Sequence, residues 1–468
     1  KKAVPAWDRK TSKPNYAVVE KLKLNWNKAR LKNISDAERT AVVNDMAKQV
    51  DQHILAVTLR HDASRAVQSI IQFGTVAQRT KVLADIKDKL HEVCNATRLI
   101  AKTPYGHFVV LKAIIYCTTP AEQKQIISSL GGHFVAVGTN VIGARTVESL
   151  VNIYSAKASR PLRAEFYGRK FIALCPEPPK NLRTLIEALP NKKSSILDHM
   201  RDLVQKFVDK GLLEFSYAHQ LIWEYAEEIE LDHAGAEASS GEQAAAPARM
   251  LDLLELLVDS VGKLLTTKPG AKLVCRMATH GSAKDRKRML KPLKGHVLES
   301  LCHESAHLGI MRLVDVTDDT VTVQKSILEE LRSTAPVVKY SASGAIIGTP
   351  LPPLATVAKS KFGRKFLMRL LAPDSKHLEP DEAVLFPERV LTSKKAPEAK
   401  RREHLFYLRS ALTTVLSNHA DVLSRDKFGY QVIFAAVRAF CPQSLLSALC
   451  LVFTGQEITP AESSGADE

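Results

Sequence analysis

The feature that most constrains this chain is a short helix-start pattern that recurs along it. In each copy, one small or polar residue is followed by two variable residues, two apolar residues and one more variable residue. Such repetition predicts an array of helical modules, because one module cannot bury its apolar face alone. The clearest copies are HDASRAVQ (61–68), TPYGHFVVLK (103–112), NVIGARTVE (140–148), KFGRKFLM (361–368) and DKFGYQVIF (426–434).

The spacing of the copies supports modules of constant size. We take the first variable residue of each copy as its marker. Four of the eight steps between successive markers measure 36–38 residues. The longer steps contain segments that we interpret as insertions: a low-complexity stretch at 233–249, a Ser-, Gly- and Pro-rich stretch at 337–353, and 373–403, which mixes proline and charge. The markers are Ser64, His107, Ala144, Asn181, His219, Ala271, His307, Arg364 and Tyr430, of which Asn181 and His219 rest on the period alone.

Between these copies, Leu, Ile, Val and Ala recur at three- and four-residue spacing, which predicts an all-α fold. We expect a basic, extended arm at 1–33 that Trp26 anchors to the first helices. An amino-terminal array follows at 34–232, then the insertion at 233–249, a carboxy-terminal array at 250–457 and an acidic, disordered tail at 458–468.

The charge of the chain indicates the kind of partner it binds. The formal net charge is +16, from 66 basic and 50 acidic residues, and the segment 1–33 carries ten of the basic and two of the acidic ones. A polyanion is therefore the first candidate partner. The seven cysteines are scattered without a CxxC pair, which favours a reducing compartment over a disulfide framework or zinc ribbon. We see no membrane-spanning stretch and no signal peptide.

A period near 36 with this helix start resembles the Pumilio (PUF) repeat family. Its nucleolar Puf-A, or pumilio-three-like, branch is the most similar, through the WxKxR segment at Trp26–Arg30, HDASR at 61–65 and TPYGHF at 103–108. The resemblance implies a right-handed, armadillo-like α-solenoid, L-shaped, with about eleven degenerate repeats. It also implies a nucleolar protein that binds RNA, and possibly DNA, with little sequence preference. The implied role is assembly of the large (60S) ribosomal subunit on pre-rRNA, among pre-60S proteins; a fungal version is implied in mRNA repression.

In that family, the second helix of each repeat faces the groove, its outer variable residues touch a base edge and the middle one stacks between bases. By this resemblance Ser64, Arg65 and Gln68 match an adenine-reading triplet. The other copies depart from the code and offer stacking rings or cations, for example Arg145 beside Glu148. A groove of this kind binds RNA with little sequence preference, since phosphate contacts carry no sequence information. The further predicted RNA contacts are His107, Phe108, Arg145, Lys272, Lys361, Arg364, Lys365, Arg369, Tyr430 and Gln431.

Three basic clusters favour a phosphate track beside these triplets. About eight phosphate contacts would make the slope of log affinity against log salt about −6. The clusters are Lys359, Lys361, Arg364, Lys365 and Arg369; Lys284, Arg286, Lys287 and Arg288, with Lys291 and Lys294 nearby; and Lys157, Arg160, Arg163, Arg169 and Lys170.

Other functions remain open at this point. A sequence-specific mRNA regulator of the same family would need several intact triplets. An armadillo-like scaffold for an acidic peptide would need Asn and Trp ladders, which the three tryptophans do not form. The string HESAH at 303–307 matches the HExxH zinc-protease signature, but the repeat frame places a helix boundary inside it, and Ile310 stands where the extended motif needs Gly. We therefore expect no enzyme activity, no metal and no cofactor.

Overall fold

The computed structural model describes residues 16–51, 53–60, 63–90, 105–236, 245–337, 350–374, 376–387, 390 and 392–454. Within these ranges the structure is helical, and pairing between extended segments is limited to one isolated bridge, Val337 with Leu351. The prediction of an all-α fold is confirmed. In the same ranges, no helix is both long and apolar enough to cross a membrane. The chain divides into two compact units, with the boundary between Glu228 and Ile229.

The amino-terminal unit is a succession of short and medium helices. They are α1 (Tyr16–Ala29), α2 (Asp36–Val50), α3 (Ile54–Thr58), α4 (Ser64–Phe73), α5 (Val76–Ile86), α6 (Gly106–Tyr116), α7 (Pro120–Leu130), α8 (Phe134–Gly138), α9 (Ala144–Ile153), α10 (Ala156–Ala164), α11 (Arg169–Ile172), α12 (Leu182–Ala188), α13 (Lys193–Asp209) and the first part of α14 (Ser216–Ala236).

Local signals explain where many of these helices begin. Ser35 and Glu38 form a reciprocal capping box at the start of α2, as the sequence indicates. Thr75 and Thr119 make the same arrangement at the starts of α5 and α7. The segment 16–29 is helical, which corrects the expectation of an extended arm over 1–33; residues 1–15 lie outside the described ranges.

The helices of the amino-terminal unit form two layers. Helices α2, α4, α6 and α9 pack side by side in one layer, and α5, α7 and α10 pack in the other. Val67, Val110 and Val147, one from each repeat copy, are fully buried between the layers. Each such side chain contributes about 1.5–3 kcal/mol through burial. The copies at Ser64, His107 and Ala144 therefore place equivalent helices next to one another.

The carboxy-terminal unit continues with helices of the same kind. They are α15 (Ala245–Leu257), α16 (Val261–Leu264), α17 (Lys268–His280), α18 (Ala283–Leu290), α19 (Val297–Cys302), α20 (Ala306–Val316), α21 (Thr320–Val323), α22 (Glu329–Leu331), α23 (Pro353–Lys359), α24 (Gly363–Leu371), α25 (Pro380–Ala383), α26 (Pro397–Asn418), α27 (Ala420–Ser424), α28 (Gly429–Phe440) and α29 (Gln443–Thr454).

In this unit α17 packs against α20, α20 contacts α24, and α24 packs against α28. Gly309 lets α17 and α20 approach closely: a Cβ atom there would lie 2.4 Å from Leu265 Cδ2 and 3.0 Å from Val274 Cγ1. We call α4, α6, α9, α17, α20, α24 and α28 the signature helices, because each carries a copy of the repeat pattern.

The structure describes the three predicted insertions to different extents. Helix α14 extends to Ala236 and α15 begins at Ala245, so the stretch 233–249 is helical at both ends, and 237–244 lies outside the described ranges. Most of 337–353 and all of the tail at 458–468 also lie outside them. The third insertion, 373–403, is described except for Ser375, Glu388, Arg389 and Leu391, and it contains α25 and the start of α26.

Candidate nucleic-acid interface

On the amino-terminal unit, the middle variable residue of each copy points to solvent. Arg65 on α4, Phe108 on α6 and Arg145 on α9 are exposed, and Phe108 keeps 43% of its surface. These helices are adjacent, so the three side chains form a row. A row of two cations and a ring provides both phosphate attraction and a stacking surface for single-stranded nucleic acid. We call Arg65, Gln68, Phe108, Lys112 and Arg145 the amino-terminal strip.

The first position of the same triplets is not available to a base. Ser64 keeps 1% and His107 keeps 5% of its surface, and Gln68, at the third position, is half-buried. The structure therefore does not bring Ser64, Arg65 and Gln68 together as one exposed adenine-reading set, which corrects that expectation. The exposed residues can stack on bases and attract phosphate, whereas the residues that would read base edges are buried or half-buried.

Trp26 makes cation–π contacts with two arginines at one end of the strip. The guanidinium carbon of Arg65 lies 4.8 Å from the centre of the Trp26 ring, and that of Arg30 lies at the same distance. Cation–π contacts of this kind restrict the guanidinium without neutralising it. Trp26 thus connects α1 to α4, as expected, and orients two cations of the surface.

Lys112 completes the strip, although sequence reasoning missed it. Its Nζ donates to Gln72 Oε1 at 2.8 Å and lies 5.0 Å from the Tyr116 ring centre. The available signal was its position four residues after Phe108, on the same helical face. Glu148, the third-position residue of the Arg145 copy, is engaged within the protein: its carboxylate accepts hydrogen bonds from the amides of Ser216 and Tyr217.

On the carboxy-terminal unit, residues 376–387, which we call the acidic strap, cover the corresponding face of α20 and α24. The strap reaches α17 at Lys268, whose side chain stays 59% exposed. Its Glu382 accepts two hydrogen bonds from Lys365 Nζ, at 2.6 and 2.8 Å, and its Asp381 accepts one from Lys268 Nζ at 2.8 Å. Lys365 keeps only 3% of its surface. This buried ion pair contradicts the expectation that Lys365 contacts phosphate.

Two arginines of the same surface are also engaged within the protein. Arg369 Nε donates to Asp315 at 2.6 Å, so its charge is not free for a phosphate. Arg312, fully buried on α20, donates to the carbonyl oxygen of Pro387 in the strap, and burial lowers its pKa to about 10. Lys272, on α17, is half-buried.

On the last signature helix, α28, no strap of the described residues covers the outward face. Tyr430 and Phe434 lie four residues apart on one face and keep 51% and 62% of their surfaces. Arg364 donates to Gln431 Oε1 at 2.8 Å and stacks 5.0 Å from the Phe428 ring centre. We call Arg364, Tyr430, Gln431, Phe434 and Arg438 the carboxy-terminal patch.

The remaining cations around this patch were partly predicted. Lys361 is exposed near the ring of Phe362, and Arg438, which sequence reasoning missed, lies exposed 5.9 Å from the Phe434 ring centre. The i,i+4 spacing of Phe434 and Arg438 was the signal available for it.

The other two basic clusters lie away from the signature helices, on α10, α11 and α18. Arg286 is buried and donates to the carbonyls of Ala278 and Thr392. Arg288 pairs with Glu255 and Asp259 at 2.8 and 2.7 Å. These contacts replace part of the expected phosphate track with internal hydrogen bonds and ion pairs.

The HExxH string does not form a metal site in the described ranges, where no group of three ligand side chains converges. As predicted, a helix boundary falls inside it, between α19 and α20. His303 Nδ1 accepts from the amides of Ser305 and Ala306, and the fully buried His307 bonds through Nδ1 to the His303 carbonyl. Burial lowers the pKa of His307 to about 4, so the ring is neutral at physiological pH.

Comparison with known proteins supports this assignment of elements. The family model described as the CPL (NUC119) domain matches residues 359–463. Pumilio homolog 3 of Homo sapiens is 26% identical over 422 residues, which are 89% of this chain and 58% of that protein. Pumilio homology domain family member 6 of Schizosaccharomyces pombe is 24% identical over 92% of this chain and 62% of its own length. The chain thus spans about three fifths of these relatives.

The fold is that of a solved protein. The crystal structure of human Puf-A matches 97% of this chain and 81% of its own, with a TM-score of 0.80 and 23% identity. The crystal structure of human Puf-A in complex with DNA matches 93% of this chain and 79% of its own, with a TM-score of 0.78 and 24% identity. In sequence and in repeat architecture, the chain is similar to the Pumilio repeat family, and within it to the Puf-A or pumilio-three-like branch.

Proposed function

We propose that this protein is a non-catalytic RNA-binding protein with little sequence preference. The observation that carries the proposal is the row of Arg65, Phe108 and Arg145, exposed at the same position of three adjacent signature helices. Human Puf-A, solved in complex with DNA, has the same fold. A strip with two exposed guanidiniums and a ring, but with buried first-position residues, attracts any ribose-phosphate strand and reads few base edges.

The test is a double charge reversal, Arg65→Glu with Arg145→Glu. We expect it to weaken binding to three unrelated RNAs of equal length by at least about tenfold, and by the same factor for each, since the lost contacts are to phosphate. Fluorescence anisotropy at fixed salt measures the affinities. The matched control is Lys87→Glu with Lys124→Glu, because both lysines are exposed and follow or lie on helices of the other layer.

A salt titration makes the same test quantitative. For a strand short enough to lie on the amino-terminal strip alone, Arg30, Arg65, Lys112 and Arg145 supply four cations, so the slope of log affinity against log salt is about −3. A slope of about −6 would need about eight free cations, whereas Lys365, Arg369 and Arg286 are engaged within the protein. The double reversal reduces the magnitude of the slope by about 1.4. A preference of about a thousandfold for one short motif would instead support the sequence-specific mRNA regulator, since phosphate contacts cannot produce it.

We further propose that the RNA is pre-rRNA, that the protein acts in the nucleolus, and that it takes part in large-subunit assembly among pre-60S proteins. Similarity to Pumilio homolog 3 and its Puf-A branch supports this part of the proposal. Crosslinking and sequencing of bound RNA in cells is the test. We expect rRNA precursor reads to dominate and to disappear in the Arg65, Arg145 variant; a dominance of mRNA reads would contradict the assembly role.

A further inference from the structure

The acidic strap makes the kinds of contact that a nucleic-acid strand would make with the same surface. Its two carboxylates, of Asp381 and Glu382, bind the ammonium groups of Lys268 and Lys365. Its ring, Phe386, lies 4.7 Å from the guanidinium carbon of Arg369. Anion with ammonium and ring with guanidinium are the two pairings by which proteins hold single strands.

The position of the strap is as informative as its chemistry. The strap lies on the signature helices α17, α20 and α24. On the amino-terminal unit, the signature helices α4, α6 and α9 expose the amino-terminal strip to solvent. Lys365 and Arg145 each directly follow the marker residue of their copy, yet Lys365 is buried and Arg145 is exposed. The same place in the module is therefore covered by the chain itself in one unit and is open in the other.

The surface beneath the strap is rich in cations. The strap contacts Lys268, Arg312 and Lys365 through hydrogen bonds and Arg369 through its ring, whereas Asp315 is the one carboxylate that pairs with them from below, among the described residues. Removing the strap would therefore leave a net basic face on three adjacent helices. Such a face attracts a polyanion for the same reason as the strip does.

We propose that the acidic strap is an intramolecular substitute for a nucleic-acid strand: it occupies a second basic surface, on α17, α20 and α24, and excludes single-stranded RNA from it. This inference rests on the proposed function. RNA bound to the intact chain reaches the amino-terminal strip and the carboxy-terminal patch, and it reaches the covered surface only when the strap has left it.

The test releases the strap by removing its charge, in the full chain with Asp381→Asn and Glu382→Gln. Without its carboxylate partners, buried Lys365 favours solvent, which opens the surface. We expect a labelled, unstructured 20-nucleotide RNA to bind about fivefold tighter. Ultraviolet crosslinking should add contacts in α17, α20 and α24 to those of the wild type, and proteolysis within 376–387 should confirm release.

The matched control is Glu299→Gln with Asp421→Asn, which changes the net charge equally at exposed positions of the short helices α19 and α27. It should change affinity by less than about twofold. A released strap without tighter binding or new crosslinks would overturn the inference, as would a released surface that binds a 376–387 peptide but no RNA.

If the variant does not fold, ultraviolet crosslinking of the wild type alone tests the inference. Its crosslinks should fall at the strip and the patch and spare α17, α20 and α24; crosslinks within those helices would show that the strap excludes nothing. A wild type that binds no RNA at all would instead refute the proposed function, so the two failures are distinguishable.

Discussion

The two units use the same repeat position in opposite ways. In the amino-terminal unit, Arg65, Phe108 and Arg145 face solvent, and Trp26 orients the first of them. In the carboxy-terminal unit, Lys365 is buried against Glu382 and the fully buried His307 lies 3.8 Å from the same carboxylate. A residue type at a given repeat position is thus no guide to its role until the neighbours that cover it are known.

The largest effect that separates the units is on stability. Lys365→Met leaves Glu382 buried without its partner, which should lower the free energy of unfolding by about 3 kcal/mol. Arg65→Ala removes an exposed charge and a cation–π contact, which should cost less than about 1 kcal/mol. Chemical denaturation, followed by amide exchange in α20, α24 and α4, measures both.

RNA binding should respond in the reverse order in these two variants. Arg65→Ala weakens binding, whereas folded Lys365→Met does not. If Lys365→Met left stability unchanged but weakened RNA binding, the distinction between the two units would be wrong.

Acid should distinguish helices that bury a histidine from helices that contain none. In the carboxy-terminal unit these histidines are His307 on α20 and His404 on α26, and in the amino-terminal unit burial likewise lowers the pKa of His219 on α14. Burial lowers the pKa of His307 and of His404 to about 4. In the unfolded chain each titrates near 6.5, so the unfolded state binds protons first and stability is lost as pH falls from about 6.5 to 4, by about 3 kcal/mol for each ring. Below that window the carboxylates contribute, as with Asp318, whose pKa hydrogen bonds hold at about 2.

Amide exchange against pH measures this acid effect. Protection in α20 and α26, which carry these rings, should fall more steeply between pH 6.5 and 4 than protection in α4 and α9, which contain no histidine. Equal losses in both pairs of helices would contradict the assignment.

The smallest effect concerns the exposed rings and sharpens the comparison. Phe108→Ala should weaken RNA binding by about 1–2 kcal/mol if a base stacks there. Phe434→Ala tests the carboxy-terminal patch in the same way, and a matching loss would show that both exposed surfaces engage the strand. The control is Phe406→Ala, because Phe406 on α26 is 84% exposed and lies outside both surfaces; an equal loss there would indicate a nonspecific effect.

Much of the fold was predictable because its signals are local. The helix starts at Ser64, Ala144 and Gly429 follow from the repeat copies, and the capping box at Ser35 follows from its spacing with Glu38. The exposure of Arg65, Phe108 and Arg145 follows from the helical period, since the apolar residues beside them must face the core.

What could not be predicted depends on contacts between distant residues. Lys365 and Glu382 are 17 residues apart, Arg369 and Asp315 are 54 apart, and neither spacing belongs to the repeat. The segment 373–403 was recognised as an insertion, but nothing in its composition shows that it returns to cover the signature helices. The sequence analysis assigns residues 16–29 to an extended arm because of their positive charge, although apolar residues in this segment recur at helical spacing.

Two buried arginines anchor the segment 373–403 through its main-chain carbonyls. Arg312 and Arg286, both buried, bind the carbonyl oxygens of Pro387 and Thr392. Every residue type supplies a carbonyl, so the attachment at 387 places little demand on which amino acid occupies that position. The attachment at 392 is more demanding, because the Thr392 hydroxyl accepts a hydrogen bond from Arg286 and donates one to the Thr279 carbonyl. Homologues should therefore keep Arg312 while residue 387 drifts, and they should keep a hydroxyl side chain at 392 wherever they keep Arg286.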